Sequence, residues 1–203
     1  MIFFSENQNM RKIYQKIFFI PFIFMFFSCQ TLHHKKVRIS RNLLAEGKLS
    51  PNQLCNFFMT QNPSSDEQFV KLLSQFYFDE ANDEGINSDV AFAQMCLETG
   101  YLTYGNLVQP EWNNFCGLGA IDKNHPGEKF ETPQLGVRAH IQHLQAYATT
   151  EDVKLKNPLV DPRYNWVHKT KFVKDISGLS GTWATDKNYA IKIENILSKM
   201  ENF

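Results

Sequence analysis

The sequence predicts a mainly α domain, and three observations carry that expectation. Apolar residues recur at helical spacing in several separate segments. Residues that cap helices stand in front of those segments and glycines stand behind them. No segment alternates apolar and polar residues long enough to make a confident strand. The chain has 203 residues, enough at roughly 150 residues per domain for one domain and an extension. Hydrophobic residues make up 43% and charged residues 21%, a globular composition that excludes a disordered, collagen-like or long coiled-coil chain. Lys plus Arg and Asp plus Glu stand at 21 each, so there is no surplus positive charge to hold a nucleic acid backbone. There is no internal repeat and no low-complexity segment.

The extension is N-terminal. Ile17 to Ser28 (IFFIPFIFMFFS) is apolar throughout, too short for a bilayer core of about 30 Å but suited to a signal-peptide core. Arg11, Lys12 and Lys16 supply its positive flank, and Met10 directly before them is an alternative start. Ser28 followed by Cys29 resembles a bacterial lipobox, in which cleavage precedes a lipidated cysteine. The expected organisation is therefore a signal peptide over 1–28, a lipidated Cys29 with a polar, basic tether over 29–49, and a domain over 50–203. Two acyl chains on Cys29 would hold the domain at a membrane.

Within the domain, Ser50, Pro51 and Gln53 form a capping box with proline at the first helical position, which starts a short helix through Leu54, Phe57 and Phe58 that stops before Asn62 and Pro63. Ser64 or Ser65 caps a second, longer helix, with Phe69, Leu72, Leu73 and Phe76 on one face and Gly85 at its end. Ser88 caps a third, in which Val90, Phe92, Ala93 and Leu97 lead to Glu98 and Gly100. Gly119 to Phe130, punctuated by Gly127 and Pro126, reads as a loop or small hairpin. Thr132 and Pro133 open a fourth helix carrying Leu135, Ile141, Leu144 and Ala148. Asp186 caps the last, with Tyr189, Ile193, Ile196, Leu197 and Met200 facing inward.

Glu98 ends an otherwise apolar helix, where desolvation and the negative end of the helix dipole both favour its neutral form and suit it to donate a proton near neutral pH. Cys55, Cys96 and Cys116 remain after processing, and buried thiols are expected, with Cys96 and Cys116 the pair worth testing. His140 and His143 share a helix face at i and i+3, yet no third ligand stands near them in sequence, and the expectation is a structural role, with no metal and no cofactor. No GxSxG or Gly-rich phosphate loop is present.

Four stretches in order, AFAQMCLETGYLTYGN, WNNFCGLGA, GVRAHIQHLQAYA and GTWATDKNYAIKI, resemble the glucosaminidase domain of bacterial peptidoglycan hydrolases, glycoside hydrolase family 73, over about Leu49 to Met200. The resemblance implies a lysozyme-like helical domain around a groove for a glycan strand, and it places the family's catalytic acid on Glu98. The NNxFGI pattern of the family corresponds to Asn113 through Leu118, with Cys116 where Phe is usual. The closing pattern carries Trp183 where Tyr is usual, and Tyr189. Asn113, Asn114, Trp183 and Tyr189 are therefore the expected substrate-binding residues: amides for acetamido and hydroxyl groups, aromatic faces for sugar rings. A second carboxylate is expected among Asp122, Glu128 and Glu131, with Glu128 the choice, unless the substrate's own acetamido group assists. The implied reaction is endo-hydrolysis of peptidoglycan after N-acetylglucosamine. The alternatives are muramidase, lytic transglycosylase or amidase action, or a wall-binding lipoprotein without chemistry.

Overall fold

The computed structural model describes residues 36–105 and 107–203. The signal segment, Met10 and Cys29 lie outside the described residues. Among the described residues, six α-helices and one two-stranded hairpin make up the domain: α1 (Pro51–Gln61), α2 (Glu67–Glu84), α3 (Ser88–Thr99), β1 (Ala120–Asp122), β2 (His125–Pro126), α4 (Pro133–Ala148), α5 (Tyr164–Thr170) and α6 (Tyr189–Met200). The mainly α expectation holds. Among the described residues, no helix is long and apolar enough to cross a membrane.

The helix ends follow local chemistry. Ser50 and Gln53 close the reciprocal capping box on α1, with Pro51 at its first position. Asp66, rather than Ser64 or Ser65, caps α2 by accepting from the amides of Gln68 and Phe69. Asn87, rather than Ser88, caps α3 in the same way. In both cases the carboxylate or amide oxygen nearer the first turn takes the free N–H groups. Gly85 and Gly100 end α2 and α3 in the left-handed conformation that glycine adopts without steric cost. Thr132 caps α4 as expected. Asn188 stands at the N-cap of α6, while Asp186 braces the preceding turn through the Asn188 amide and pairs with Lys192.

Helix α3 runs through the core: Val90, Ala91, Phe92, Ala93, Met95 and Cys96 are all fully buried. Helices α2 and α4 pack against each other, α1 lies on α2, and α6 closes over α3. Phe58 and Tyr77 meet Phe92 edge-on at ring separations of 6.3 and 5.7 Å, the offset geometry that aromatic pairs prefer. Cys55, Cys96 and Cys116 are buried free thiols.

Residues 36–49 depart from the expected tether. Ile39, Leu43 and Leu49 are buried in the core. The segment also bonds through its backbone to three distant parts of the chain: Val37 to Glu201, Leu43 to Lys174, and Asn87 to Leu43. Arg41 bridges Glu194 and Glu201, and the buried carboxylate of Asp89 accepts the amides of Lys48 and Leu49. Three apolar side chains without periodicity give no sequence signal of packing, yet together they bury enough surface to seat the strap. The domain thus begins by about Lys36.

A polar spine crosses this core. His140 on α4 is fully buried, accepts from the Tyr77 hydroxyl at Nδ1 (2.9 Å) and donates from Nε2 to Gln94 Oε1 (3.0 Å). Burial pushes its pKa down to about 3, with the neighbouring His143 adding to the effect. The neutral imidazole has one donor and one acceptor, and this site satisfies both. A depressed folded-state pKa means that the unfolded chain takes up this proton first, so stability present above about pH 6.5 is lost as the pH falls toward 3. His140→Gln should lower stability at pH 7, where it breaks the spine. It should also flatten the acid limb between pH 6.5 and 4 by up to about 1.4 kcal/mol per pH unit. Urea titrations of both proteins across that range measure this, and parallel acid limbs would contradict it.

Candidate active site

Glu98 occupies the last turn of α3 and opens into a cavity of about 250 Å³ whose walls include Tyr104, Leu107, Val108, Gly117 and Trp183. The chain leaves the helix through an unusual turn. After Gly100, the non-glycine residues Tyr101, Leu102 and Tyr104 all take positive φ (55°, 62° and 55°). Strain of this kind, about 1 kcal/mol or more per residue, persists only where the surroundings impose it. Here Thr99 Oγ1 accepts from the Leu102 amide, and Asn62 donates to the Tyr101 carbonyl. Beyond this turn, Tyr104, Leu107 and Val108 form a wall of the cavity beside Glu98. Nothing in the local sequence pattern signals this wall.

Two donors converge on one oxygen of the Glu98 carboxyl. The Trp183 indole Nε1–H donates to Oε1 at 3.0 Å, and the Tyr189 hydroxyl donates to the same oxygen. Oε2 faces Gly117, where an added Cβ would sit 3.9 Å away; Gly117 has φ +66° and carries no side chain into that space. Burial raises the Glu98 pKa above the ordinary glutamate value, and the bonds from Tyr189 and Trp183 only partly oppose it. With Oε1 occupied by donors, the proton of the neutral acid belongs on Oε2, on the side of Gly117 and the cavity. The arrangement can thus present a carboxylic acid to a bound molecule.

The spine supplies the direction of the Tyr189 bond. Gln94 lies one turn before Glu98 on α3, accepts from His140 at Oε1, and donates from Nε2 to the Tyr189 hydroxyl at 2.8 Å. Because that hydroxyl oxygen already accepts, its own hydrogen is left for Glu98. Every bond from Tyr77 through His140, Gln94 and Tyr189 to Glu98 runs one way. Trp183 is fixed separately, by the rings of His140, His143 and Tyr147 at 5.7, 5.1 and 5.5 Å. His143 in turn bonds the buried Asp161 carboxylate at 2.7 Å. Both histidines thus have hydrogen-bond partners within the protein. Among the described residues no group of three His, Cys, Asp or Glu side chains could hold a metal ion.

The expected substrate-binding residues divide. Trp183 lines the cavity. Tyr189 does not: it is buried beneath Glu98, where its ring cannot meet a sugar, and its hydroxyl serves the carboxyl instead. The amide of Asn114 is also spent within the protein, donating to the carbonyls of Leu118 and Glu128 and accepting from the Leu118 amide. Asn113 takes φ +51° and donates to Phe130. Both asparagines therefore build the loop that carries Gly117 and leads into the hairpin, because that loop has few other partners for its buried backbone groups. Of the three candidate second acids, Asp122 is exposed at the hairpin tip and caps its own turn through Asn124 and His125. Glu131 is exposed. Glu128 is partly buried, and its Oε1 would lie 3.2 Å from a Cβ placed at Gly119.

Gly136 seats this loop on α4, since a Cβ there would fall 1.7 Å from the Asn113 carbonyl oxygen. Gly136→Ala should force the loop off the helix at a cost of about 2 to 3 kcal/mol, lowering the melting midpoint by roughly 5 to 10 °C. Calorimetry measures this; an unchanged midpoint would show that the loop is not seated there.

The family model for mannosyl-glycoprotein endo-beta-N-acetylglucosaminidase matches residues 74–202, which include α3, the Asn113–Gly117 loop, the hairpin and α4 to α6. An uncharacterized protein of Borreliella burgdorferi is 38% identical over 158 residues, 78% of this chain and 76% of that one. Autolysin E of S. aureus shares the fold with a TM-score of 0.50 at 15% identity, over 79% of this chain and 69% of that one. The S. aureus glucosaminidase B aligns with a TM-score of 0.45 at 18% identity, over 79% of this chain and 64% of that one. The chain is a member of the mannosyl-glycoprotein endo-beta-N-acetylglucosaminidase family of glycoside hydrolases.

Proposed function

We propose that the protein is a peptidoglycan hydrolase that cleaves glycan strands after N-acetylglucosamine, with Glu98 as the general acid. The observation that carries this reading is the Glu98 carboxyl itself: buried where desolvation favours its neutral form, gripped at Oε1 by Tyr189 and Trp183, and with Oε2 turned toward Gly117 at the cavity. A glycosidic oxygen seated there would receive the proton as its bond to the anomeric carbon breaks, which leaves a neutral alcohol and a carboxylate already provided with two donors. The four sequence stretches that resemble peptidoglycan hydrolases support the substrate.

For the opposite face of the sugar, Glu128 is the proposed second group, activating water from the loop beside Gly119. The substrate's acetamido oxygen offers the other route, and Glu128→Gln separates the two, since a full loss of turnover supports Glu128 and retained turnover supports substrate assistance. For location, we propose export and lipidation at Cys29. With the domain starting by Lys36, the connecting residues reach at most about 25 Å, which keeps the groove close to the membrane. Cys29→Ser should abolish lipid labelling and release the protein from the membrane fraction.

Glu98→Gln should lower turnover on purified cell walls by about 10² to 10⁴-fold, the usual worth of a positioned acid, while the melting curve stays close to that of the unaltered chain. Reduction of the digest with borohydride followed by mass spectrometry should show N-acetylglucosamine at the new reducing ends. Muramic acid ends or anhydro ends would replace this reading with a muramidase or a lytic transglycosylase, free stem peptides with an amidase, and binding without any cleavage with a wall-binding protein.

A further inference from the structure

A second cavity, of about 200 Å³, adjoins the one at Glu98 and shares with it Trp183, Cys116, Gly117 and Ala120. Its outer side is formed by Arg163, Trp166 and Lys171, from α5 and its flanks. Trp166 is 53% exposed, a large apolar ring left in solvent at the rim. The Arg163 guanidinium lies 5.4 Å from the centre of that ring and the Lys171 ammonium 5.8 Å from it. Two cations thus converge on one indole at the mouth of one cavity.

Neither cation is neutralised. Among the described residues, no carboxylate lies within 4 Å of Arg163 or Lys171, although seven Lys or Arg pairs with a carboxylate occur elsewhere in the domain. The acid closest in sequence to Arg163, Asp161, is buried, its oxygens committed to His143 and to the Arg163 backbone amide, and the one closest to Lys171, Asp175, accepts from the Ser177 amide. Glu128 lies against Gly119 at the hairpin side and is not part of the lining. The lining itself contains no Asp or Glu. Two unpaired cations preorganised on an aromatic face at a cavity mouth are a site for an anion, and a guanidinium fits a carboxylate through two parallel hydrogen bonds.

We propose that this second cavity binds the neighbouring muramyl sugar of the glycan, with Arg163 and Lys171 holding a carboxylate carried by that sugar. The inference rests on the glucosaminidase reading. When N-acetylglucosamine occupies the cavity at Glu98, the next residue of an alternating strand is N-acetylmuramic acid, and the shared Trp183 wall places it in the cavity lined by Arg163 and Lys171. That sugar carries its acid on the lactyl group, either free or extended by a stem peptide with carboxylates of its own. The cations therefore select which sugar stands next to the scissile bond.

The test uses the Glu98→Gln chain, which binds without turnover, and calorimetry with three soluble probes. These are a neutral chitotetraose, a muramyl tetrasaccharide with free lactyl carboxylates, and the same tetrasaccharide carrying stem peptides. Adding Arg163→Gln or Lys171→Gln should weaken the carboxylate-bearing probes about tenfold or more and leave chitotetraose unchanged, with 0.5 M salt reducing the difference. Lys171→Gln lies beyond the end of α5 and serves as the second variant should Arg163→Gln disturb the start of that helix. Weakening of the peptide-bearing probe alone identifies a stem carboxylate, and weakening of both muramyl probes identifies the lactyl group. Equal weakening of all three probes, or of none, overturns the proposal while leaving the glucosaminidase reading intact. Failure of the Glu98→Gln chain to bind any probe overturns both.

Discussion

The structure depends on keeping one carboxyl group partly buried at the end of a core helix. Taking a glutamate out of water is costly when it is charged, and here burial shifts Glu98 toward its neutral form while two donors on a single oxygen partly offset the cost of the charged one. Both donors come from one stretch of chain, Trp183 from the loop before α6 and Tyr189 from the first turn of α6. Each is fixed by contacts that have nothing to do with Glu98. Trp183 is wedged among His140, His143 and Tyr147, and Tyr189 receives a hydrogen bond from Gln94. The packing of α3, α4 and α6 and the surroundings that set the proton affinity of Glu98 are therefore one arrangement.

That dependence explains why polar residues sit so deep in a small helical core. Gln94 and His140 are fully buried, and Tyr77 lies beneath them on α2. A chain of neutral donors and acceptors with each member satisfied is tolerated inside a protein, whereas a single unpaired member would cost about 1 to 3 kcal/mol. Running the chain in one direction leaves the Tyr189 hydrogen for Glu98. The spine thus acts on the site through the orientation of a hydroxyl, without touching a substrate.

Much of this could be read from the sequence where the information is local. The capping box at Ser50, Pro51 and Gln53, the glycine stops at Gly85 and Gly100, and the apolar stripe of α6 all appear where their residues predict. Glu98 stood out because a lone carboxyl ended an apolar helix. Reading was poorer where several neighbouring residues could serve as the same cap, so that Asp66 displaced Ser64 and Ser65, and Asn87 displaced Ser88. It failed where the signal is tertiary. Tyr77 and His140 are 63 residues apart, and nothing local pairs them. Helix α5 has only seven residues, and residues 36–49 pack without periodicity. Asn114 and Tyr189 resemble ligand-binding residues by type, but a loop with buried carbonyls consumed one and the carboxyl consumed the other.

The central claim is that folding raises the affinity of Glu98 for its proton while Tyr189 restrains that rise. Titration of the Glu98 side-chain carboxyl carbon by ¹³C NMR, assigned by its absence in Glu98→Gln, reads this directly. The account predicts a midpoint above the ordinary glutamate value in the folded protein, and a higher midpoint still in Tyr189→Phe, where an opposing hydrogen bond is gone. A midpoint at or below the ordinary value, or a lower one in Tyr189→Phe, would contradict it.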